Sequence, residues 1–587
     1  MPKDQTLSIA DFGLKPDTRK NAVPFVQKAL AACTEGAVLV FPKGRYDFWP
    51  HHCIERDYFE SNTEDINPKR LAILIENKDG LTLDGGGGEF VFHDRMQPFT
   101  IDNSRTITLC NLSIDWDIPL LAQAKVVQIT DTYADLQINA YESPYVIENG
   151  KIFFTGEGWK SGWWGTVEFD GETKNAVTAD RDLFEGYRAE ALSKELLRLH
   201  GVFKSGPRKG SLLVLRHSKR DHAAVFIIDS KNITLEDMRI HHCAGLGILS
   251  QYAEDLHFAN VHCIPNEARG RILSGHDDGL HFSNCRGTVS VDNCSFHALM
   301  DDPINVHGTA VRVIERMSDT VLRCKFMHHE SLGLHWARAG EQVGFIKNET
   351  MQTIGLGIVQ SFKVLDTELF ELSFETALPK EVAPGDALEN RTWTCDVSIK
   401  NSRFKSCRAR GILISTPGKV VIENNVFESH GAAILIPGDA NNWYESGAVK
   451  DVLITKNIFK APCLTFMYQF CEGIISIMPE IPQKTAETPP FHRNIIIRDN
   501  EFHPFDYPVL YALSVEGIEF SGNRLIRSHE FKPWHPRKDG LTFEWCKKVT
   551  VKNNAAEDDV LGRTICLRNT PEEECTIDWN GFTVLTY

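Results

Sequence analysis

A six-residue pattern of apolar and polar positions recurs along this chain. An aliphatic or aromatic residue opens it, a small residue or Asn usually stands fourth, and Phe or an aliphatic residue closes it. It occurs at Leu109–Ile114, Leu235–Ile240, Val291–Phe296, Ile399–Phe404, Ile422–Phe427, Ile454–Phe459, Ile497–Phe502, Phe520–Leu525 and Val551–Ala556. Apolar residues alternate with polar ones, which predicts short half-buried strands. Phe404 to Phe427 and Phe502 to Leu525 repeat the same interval, whereas Phe427 to Phe459 is longer. A constant strand with a variable interval fits one coil per repeat, with loops of changing length on one side. Asn tolerates the left-handed backbone of a coil corner and can ladder with the Asn above it. The expected fold is therefore all-β: a right-handed parallel β-helix solenoid in which each coil buries its face on the next. A β-sandwich would need nine coincidental recurrences.

At the N-terminus, Ile9–Gly13 precedes a helical stretch near Thr18–Cys33 and the apolar segment Ala37–Phe48, an arrangement suited to capping an open solenoid core. Two stretches lack the coil pattern. The first contains Trp159, Trp163 and Trp164 and a charged, helix-like run near Asp180–Leu199. The second alternates as antiparallel strands, and both read as β-rich, barrel-like insertions. The expected organisation is a cap and first coils over 1–117, an insertion over 118–215, and coils carrying an acidic site over 216–308. A second insertion over 309–394 and C-terminal coils over 395–587 complete it. Length alone, 587 residues at about 150 per domain, would suggest about four independent domains. The repeat replaces that with one interrupted solenoid.

The formal charge is −16, which excludes a duplex nucleic-acid binder and a protein steered to anionic lipid. No apolar stretch is long enough for a membrane-spanning helix. The 15 Cys are scattered without a C-x-x-C, so they read as buried free thiols. The first residues lack an apolar leader region. A cytoplasmic protein is expected, or a secreted or periplasmic one if a leader has been removed; a homodimer is compatible with the sequence.

Polar chemistry concentrates at Ser274–Phe282 (SGHDDGLHF) and Met300–Gly308 (MDDPINVHG). One coil separates them, so Asp277, Asp278 and His281 are expected beside Asp301, Asp302, Asn305 and His307, with 278 and 301 stacked. Close carboxylates raise one another's pKa and yield a protonated acid beside an ionised base, as glycosidic hydrolysis requires. Asp301 and Asp302 would face opposite ways in a strand, but at a corner both reach one cleft. Glu330, or behind it Glu341, is the candidate third carboxylate. Arg408 and Arg410, with Trp443, Tyr444 and Glu445 in the loop after Ile422–Phe427, are candidates for sugar contacts. Three other readings stay open. The carboxylates could hold calcium in a β-helix lyase, with Arg271 or Lys325 as base. His276, Asp277 and His281 could bind a transition metal. A non-catalytic glycan-binding solenoid is the third.

The segments His297–Gly308, Ser406–Glu428 and Ala432–Asn457 resemble glycoside hydrolase family 110, α-1,3-galactosidases that release terminal galactose from blood-group-B and linear Gal-α-1,3-Gal glycans. The resemblance implies a parallel β-helix with β-barrel insertions, an inverting mechanism and no cofactor or metal. Its catalytic carboxylates correspond to Asp301 and Asp302, with Glu330 as the third position. On this reading of a galactose-terminated glycan, Asp278, His281, Asn305 and His307 would hold galactose hydroxyls, with Arg408, Arg410, Trp443 and Glu445 as further substrate contacts.

Overall fold

The computed structural model describes residues 5–64, 66–177, 186–203, 206–466 and 468–587. Its core is a parallel β-helix. One face is a 22-stranded sheet, and the recurring pattern forms a single column in it. Leu109 pairs with Leu235, and Val291, Ile399, Ile422, Ile454, Ile497, Phe520 and Val551 follow in register. One coil escaped the pattern. Glu254–Cys263 inserts Phe258 between Leu235 and Val291, and it closes on Cys263 rather than on Phe or an aliphatic residue.

The Asn corner divides into two adjacent positions with separate tasks. The third residue of the pattern takes the left-handed backbone, as at Asn111, Asn401, Asn424, Lys456, Asp499 and Asn553. The fourth turns inward and builds the ladder. Asn425 Nδ2 donates to Asn457 Oδ1 at 3.0 Å, Asn457 to Asn500 at 3.0 Å, Asn500 to Asn523 at 3.0 Å and Asn523 to Asn554 at 3.3 Å. Each rung also accepts a backbone N–H of the preceding coil, so buried polar groups at the corner are satisfied. Beside the ladder the closing aromatics stack: Phe404 on Phe427 at 4.7 Å, and Phe459 on Phe502 at 4.5 Å.

A second parallel face carries Val225–Ile228, Ile248–Gln251, Leu280–Ser283, Ile412–Ile414, Ile434–Ile436 and Ile475–Ile477. The strand Ile304–Arg316 begins in this face and then leaves it for the second insertion. There it joins Val321–Lys325, Leu369–Phe374, Gln352–Val364, Gln342–Lys347 and Ala387–Asn390 in a closed six-stranded antiparallel barrel. The barrel has its own core around Trp336, Phe345 and Phe370. The first insertion is a six-stranded antiparallel sheet plus a three-stranded one. The helix expected near Asp180–Leu199 is absent where the chain is described. Arg188–Ser193 and Leu196–His200 form a strand pair, and residues 178–185 lie outside the described set. The run of charges there reflects a solvated strand face.

At the N-terminus one α-helix, Val23–Ala32, covers the first coils with Val23, Val26, Ala29 and Leu30 buried. All 15 cysteines are free, and all but Cys53 and Cys575 are buried. Among the described residues no helix is long and apolar enough to cross a membrane.

The two corner positions should respond differently to substitution. Asn457→Ala strands several buried ladder partners and should cost about 2–4 kcal/mol in denaturant unfolding. Asn424→Ala, at φ 56° on the exposed position beside the ladder, should cost about 1 kcal/mol, and Asn424→Gly close to none.

Candidate active site

Parallel register carries the site. Leu280, Ile304 and Ile412 pair on successive coils, so Asp278, Asp302 and Arg410, each two residues earlier, form a vertical column. Asp302 N–H donates to Asp278 Oδ1 at 3.2 Å, and Arg410 N–H to Asp302 Oδ1 at 3.1 Å. The stacking partner of Asp278 is thus Asp302 rather than Asp301. Gly279 and Gly411 stand between column and strand, where an added Cβ would meet a carbonyl oxygen of the next coil at 2.6 Å and 2.5 Å. The strands themselves alternate. Ile304, Val306, Ile412 and Ile414 face the core, whereas Asn305 and Leu413 face outward with Leu435 to floor a cleft.

Asp278, Asp301 and Asp302 all line this cleft, with one oxygen from each within 4.8 Å of the others. The corner therefore does bring the adjacent Asp301 and Asp302 to one place. Two guanidinium groups hold the cluster. Arg410 grips Asp302 at both oxygens, Nε to Oδ1 at 2.8 Å and Nη2 to Oδ2 at 2.6 Å. Arg220 donates to Asp301 Oδ2 at 2.8 Å and Asp277 Oδ1 at 3.0 Å, and reaches Glu330 Oε2 at 3.5 Å. Burial opposes the charge on Arg220, but Asp277, Glu330, Asp301 and Asp278 outweigh it and hold the guanidinium charged. Burial would likewise raise Asp277; Arg220 and then His276 override it and keep that carboxyl well below its ordinary range. Burial raises Asp278 strongly, reinforced by Asp301 and Asp302. Burial also raises Asp302, with Arg410 opposing and Asp301 adding.

The remaining expected residues divide. Asn305, Trp443 and Glu445 line the cleft. Trp443 is backed by His328 at 4.4 Å between ring centroids, and Asn62 Nδ2 donates to Glu445 Oε1 at 2.8 Å. The Asn305 Oδ1 atom is buried without a partner. His281 and His307 do not line the cleft. They sit beside it on the same outward rows, His281 one coil upstream of Asn305, with His281 Nδ1 2.7 Å from Asp278 Oδ2. Arg408 lies behind the wall. Its Nε donates to the Met300 carbonyl at 2.7 Å, and its guanidinium lies 4.7 Å over the Tyr468 ring. Glu330 is not a lining residue; it stands at the Arg220 guanidinium. Glu341 is remote from the cleft and fully engaged, accepting from Arg338 N–H, Asn390 Nδ2 and Trp393 Nε1. The proposed metal set also fails. Both ring nitrogens of His276 have partners, Asp277 and the Ser218 carbonyl, and both of His281 face Asp278 and His307. The carboxylate trio faces two arginines, a poor environment for a divalent cation.

Comparison with known proteins places these features. An "Alpha-1,3-galactosidase B" of Bacteroides thetaiotaomicron is 51% identical over 98% of this chain and 95% of its own length. The chain belongs to the alpha-1,3-galactosidase family. An "Alpha-1,3-galactosidase A" of Bacteroides fragilis is 34% identical over 96% of this chain and 94% of that protein. The GLAA-B beta-barrel domain I model matches residues 122–213 and the domain II model 321–388, the two insertions. An exopolygalacturonase structure from Thermotoga maritima aligns over 94% of this chain and 92% of its own at 10% identity and a TM-score of 0.43.

Several lining residues were not among the expected ones: Asn62, Arg220, Tyr468 and Glu480. Arg220 had one visible signal. It sits in a Lys-Arg-Asp-His run between the last strand of the first insertion, Leu212–Arg216, and the coil strand Val225–Ile228. A charged run re-entering an apolar solenoid is a sign of a buried ion network. Asp439 organises its loop by accepting backbone N–H groups from Asn441, Asn442, Trp443 and Tyr444.

Arg220→Met should cost about 3–5 kcal/mol at neutral pH, because it leaves several buried carboxylates unpaired. Asp277 has a depressed folded-state pKa, so its contribution is present above the ordinary Asp value and lost as pH falls through the folded one. The stability gap between wild type and variant in chemical denaturation should therefore narrow as pH drops below about 4.

Proposed function

We propose that this protein is an exo-acting glycoside hydrolase of the family 110 type. It releases terminal α-1,3-linked galactose from blood-group-B-type or linear Gal-α-1,3-Gal glycans with inversion of the anomeric configuration. The observation that carries the reading is the trio Asp278, Asp301 and Asp302 converging on one cleft between Arg220 and Arg410, in a chain 51% identical to a protein named for that activity. The cleft offers Trp443 as an apolar platform, with Asn305 and Glu445 as polar lining residues suited to sugar hydroxyls. It needs no metal or cofactor for acid–base hydrolysis.

Asp301 is the carboxyl that meets the reacting atoms, since Arg220 engages only its Oδ2. Asp302, held at both oxygens by Arg410, supplies fixed negative charge for the oxocarbenium-like transition state. Glu330 tunes this pair through Arg220. Inverting acid and base carboxyls stand about 6.5–9.5 Å apart, with water on the face opposite the leaving group. The trio's closest oxygens are nearer than that, so Glu445 and Glu480 on the cleft lining are the candidate counterparts. Burial and then Asp439 push the Glu480 carboxyl up to about 7, in the range suited to a proton donor.

The test is release of galactose from B-trisaccharide and linear galactobiose, followed by NMR. The β-anomer should appear first. An initial α-anomer refutes inversion, and no release from either sugar refutes the substrate. Asp301→Asn should lower kcat by about 10³-fold. Among Asp301→Asn, Glu445→Gln and Glu480→Gln, the variant that recovers most on an aryl galactoside with a good leaving group marks the acid. An unsaturated product absorbing in the ultraviolet would point instead to a lyase, and full turnover by Asp301→Asn would remove that residue from the chemistry.

A further inference from the structure

From the cleft lining, Asp278 joins His281 and His307 in a buried chain beside the cleft, and the hydrolytic reading leaves the two histidines unexplained. Asp278 Oδ2 lies 2.7 Å from His281 Nδ1, His281 Nε2 lies 2.8 Å from His307 Nε2, and His307 Nδ1 lies 2.9 Å from the Gly308 carbonyl oxygen. Each contact needs one proton, and the chain has a fixed end. A carbonyl oxygen only accepts, so His307 Nδ1 carries a hydrogen. A neutral His307 then offers a bare Nε2, which takes a hydrogen from His281 Nε2. A neutral His281 in turn offers a bare Nδ1 to Asp278. The last hydrogen belongs to the carboxyl.

We propose that His281 and His307 are positioning residues that hold Asp278 as a neutral carboxylic acid, so that the trio sets two negative charges, not three, against Arg220 and Arg410.

Two alternatives share the proton count, an imidazolium at His281 beside a carboxylate, or one at His307 with His281 donating from Nδ1 to the carboxylate, and the infrared band of a protonated carboxyl separates both from the neutral acid. The first would place a second buried cation near Arg220; burial, His307 and Arg220 all push His281 well below its ordinary range. The groups facing Asp278 besides His281 are Asp301, Asp302, Asp277 and the cation Arg220, and the acidic ones favour its protonated form. His307 faces Glu445 Oε1 at 3.7 Å in addition to His281. Its other flank is the backbone carbonyl that fixes the polarity.

The sequence of dependence gives the test. Without an acceptor at position 307, His281 is free to move its hydrogen to Nδ1 and donate to an ionised Asp278. His307→Phe should therefore lower the pKa of Asp278. His307→Gln keeps the polarity, since Gln can donate to the Gly308 carbonyl and accept from His281. The infrared difference between wild type and Asp278→Asn at pH 7 should show a protonated carboxyl carbonyl band. That band should vanish in His307→Phe and survive in His307→Gln. In kinetics, which rest on the reading above, the alkaline limb of kcat/KM should move down by about one to two pH units in His307→Phe and stay in His307→Gln. Absence of the band from wild type, or its persistence in a folded His307→Phe, overturns the proposal. If the band behaves as expected but no α-galactoside is turned over, the relay stands and the proposed activity fails.

Discussion

Everything in this molecule depends on in-register stacking of parallel strands. A coil can be interrupted by a barrel or by a loop of any length, and the chain still returns to the same column. That is why Asp278, Asp302 and Arg410 align although a whole barrel lies between Asp302 and Arg410. Backbone hydrogen bonding sets the vertical spacing, and inward aliphatic side chains on each strand set which residues face out. The site is therefore written on the outer rows of a rigid sheet and at its corners. The carboxylate column takes its precision from the sheet, while Arg220 and Trp443 reach it from connecting segments.

Charge is the second constraint, and it is local. Stacking carboxylates one coil apart is unfavourable unless something compensates. The compensation comes from two directions: Arg410 from the next coil, inside the column, and Arg220 from the segment that joins the first insertion to the solenoid. The second insertion adds Glu330 at Arg220 and His328 against Trp443. The second insertion and the re-entry segment after the first thus contribute side chains to a centre whose floor is purely solenoid, which gives them a role in its electrostatics.

The legible part of this design was the part governed by periodicity. The strand column, the two insertions and the convergence of Asp278, Asp301 and Asp302 follow from alternation and spacing. The coil at Glu254–Cys263 escaped because Cys263 fills an aliphatic place, and the strand pair at Arg188–His200 because its solvated face carries helix-like charge. Tyr468 and Asn62 were illegible, and Arg220 was marked only by its charged run, because all three arrive from non-repeating segments, for which no register predicts a neighbour. The histidines were found but misplaced. A His on the outward row beside an acidic corner can point into the cleft or brace the corner from the side, and only the hydrogen bonds of His281 and His307 decide between the two.

The interior amide ladder has a consequence for how the molecule opens. From Asn425 to Asn554 each side chain is donor to one neighbour and acceptor to the other, so the run is a polar thread with a direction. Upstream, Ser402 and Cys294 take the same place with a hydroxyl and a thiol, and the amide thread stops. Those are the coils of Arg410 and of Asp301 and Asp302. The C-terminal coils thus share a cooperative bond network and should loosen as one block, whereas the site sits at the upstream seam of that block. A galactose-sized guest gripped across the seam would tie the two blocks together, so occupancy of the cleft would be felt as resistance to fraying far down the solenoid.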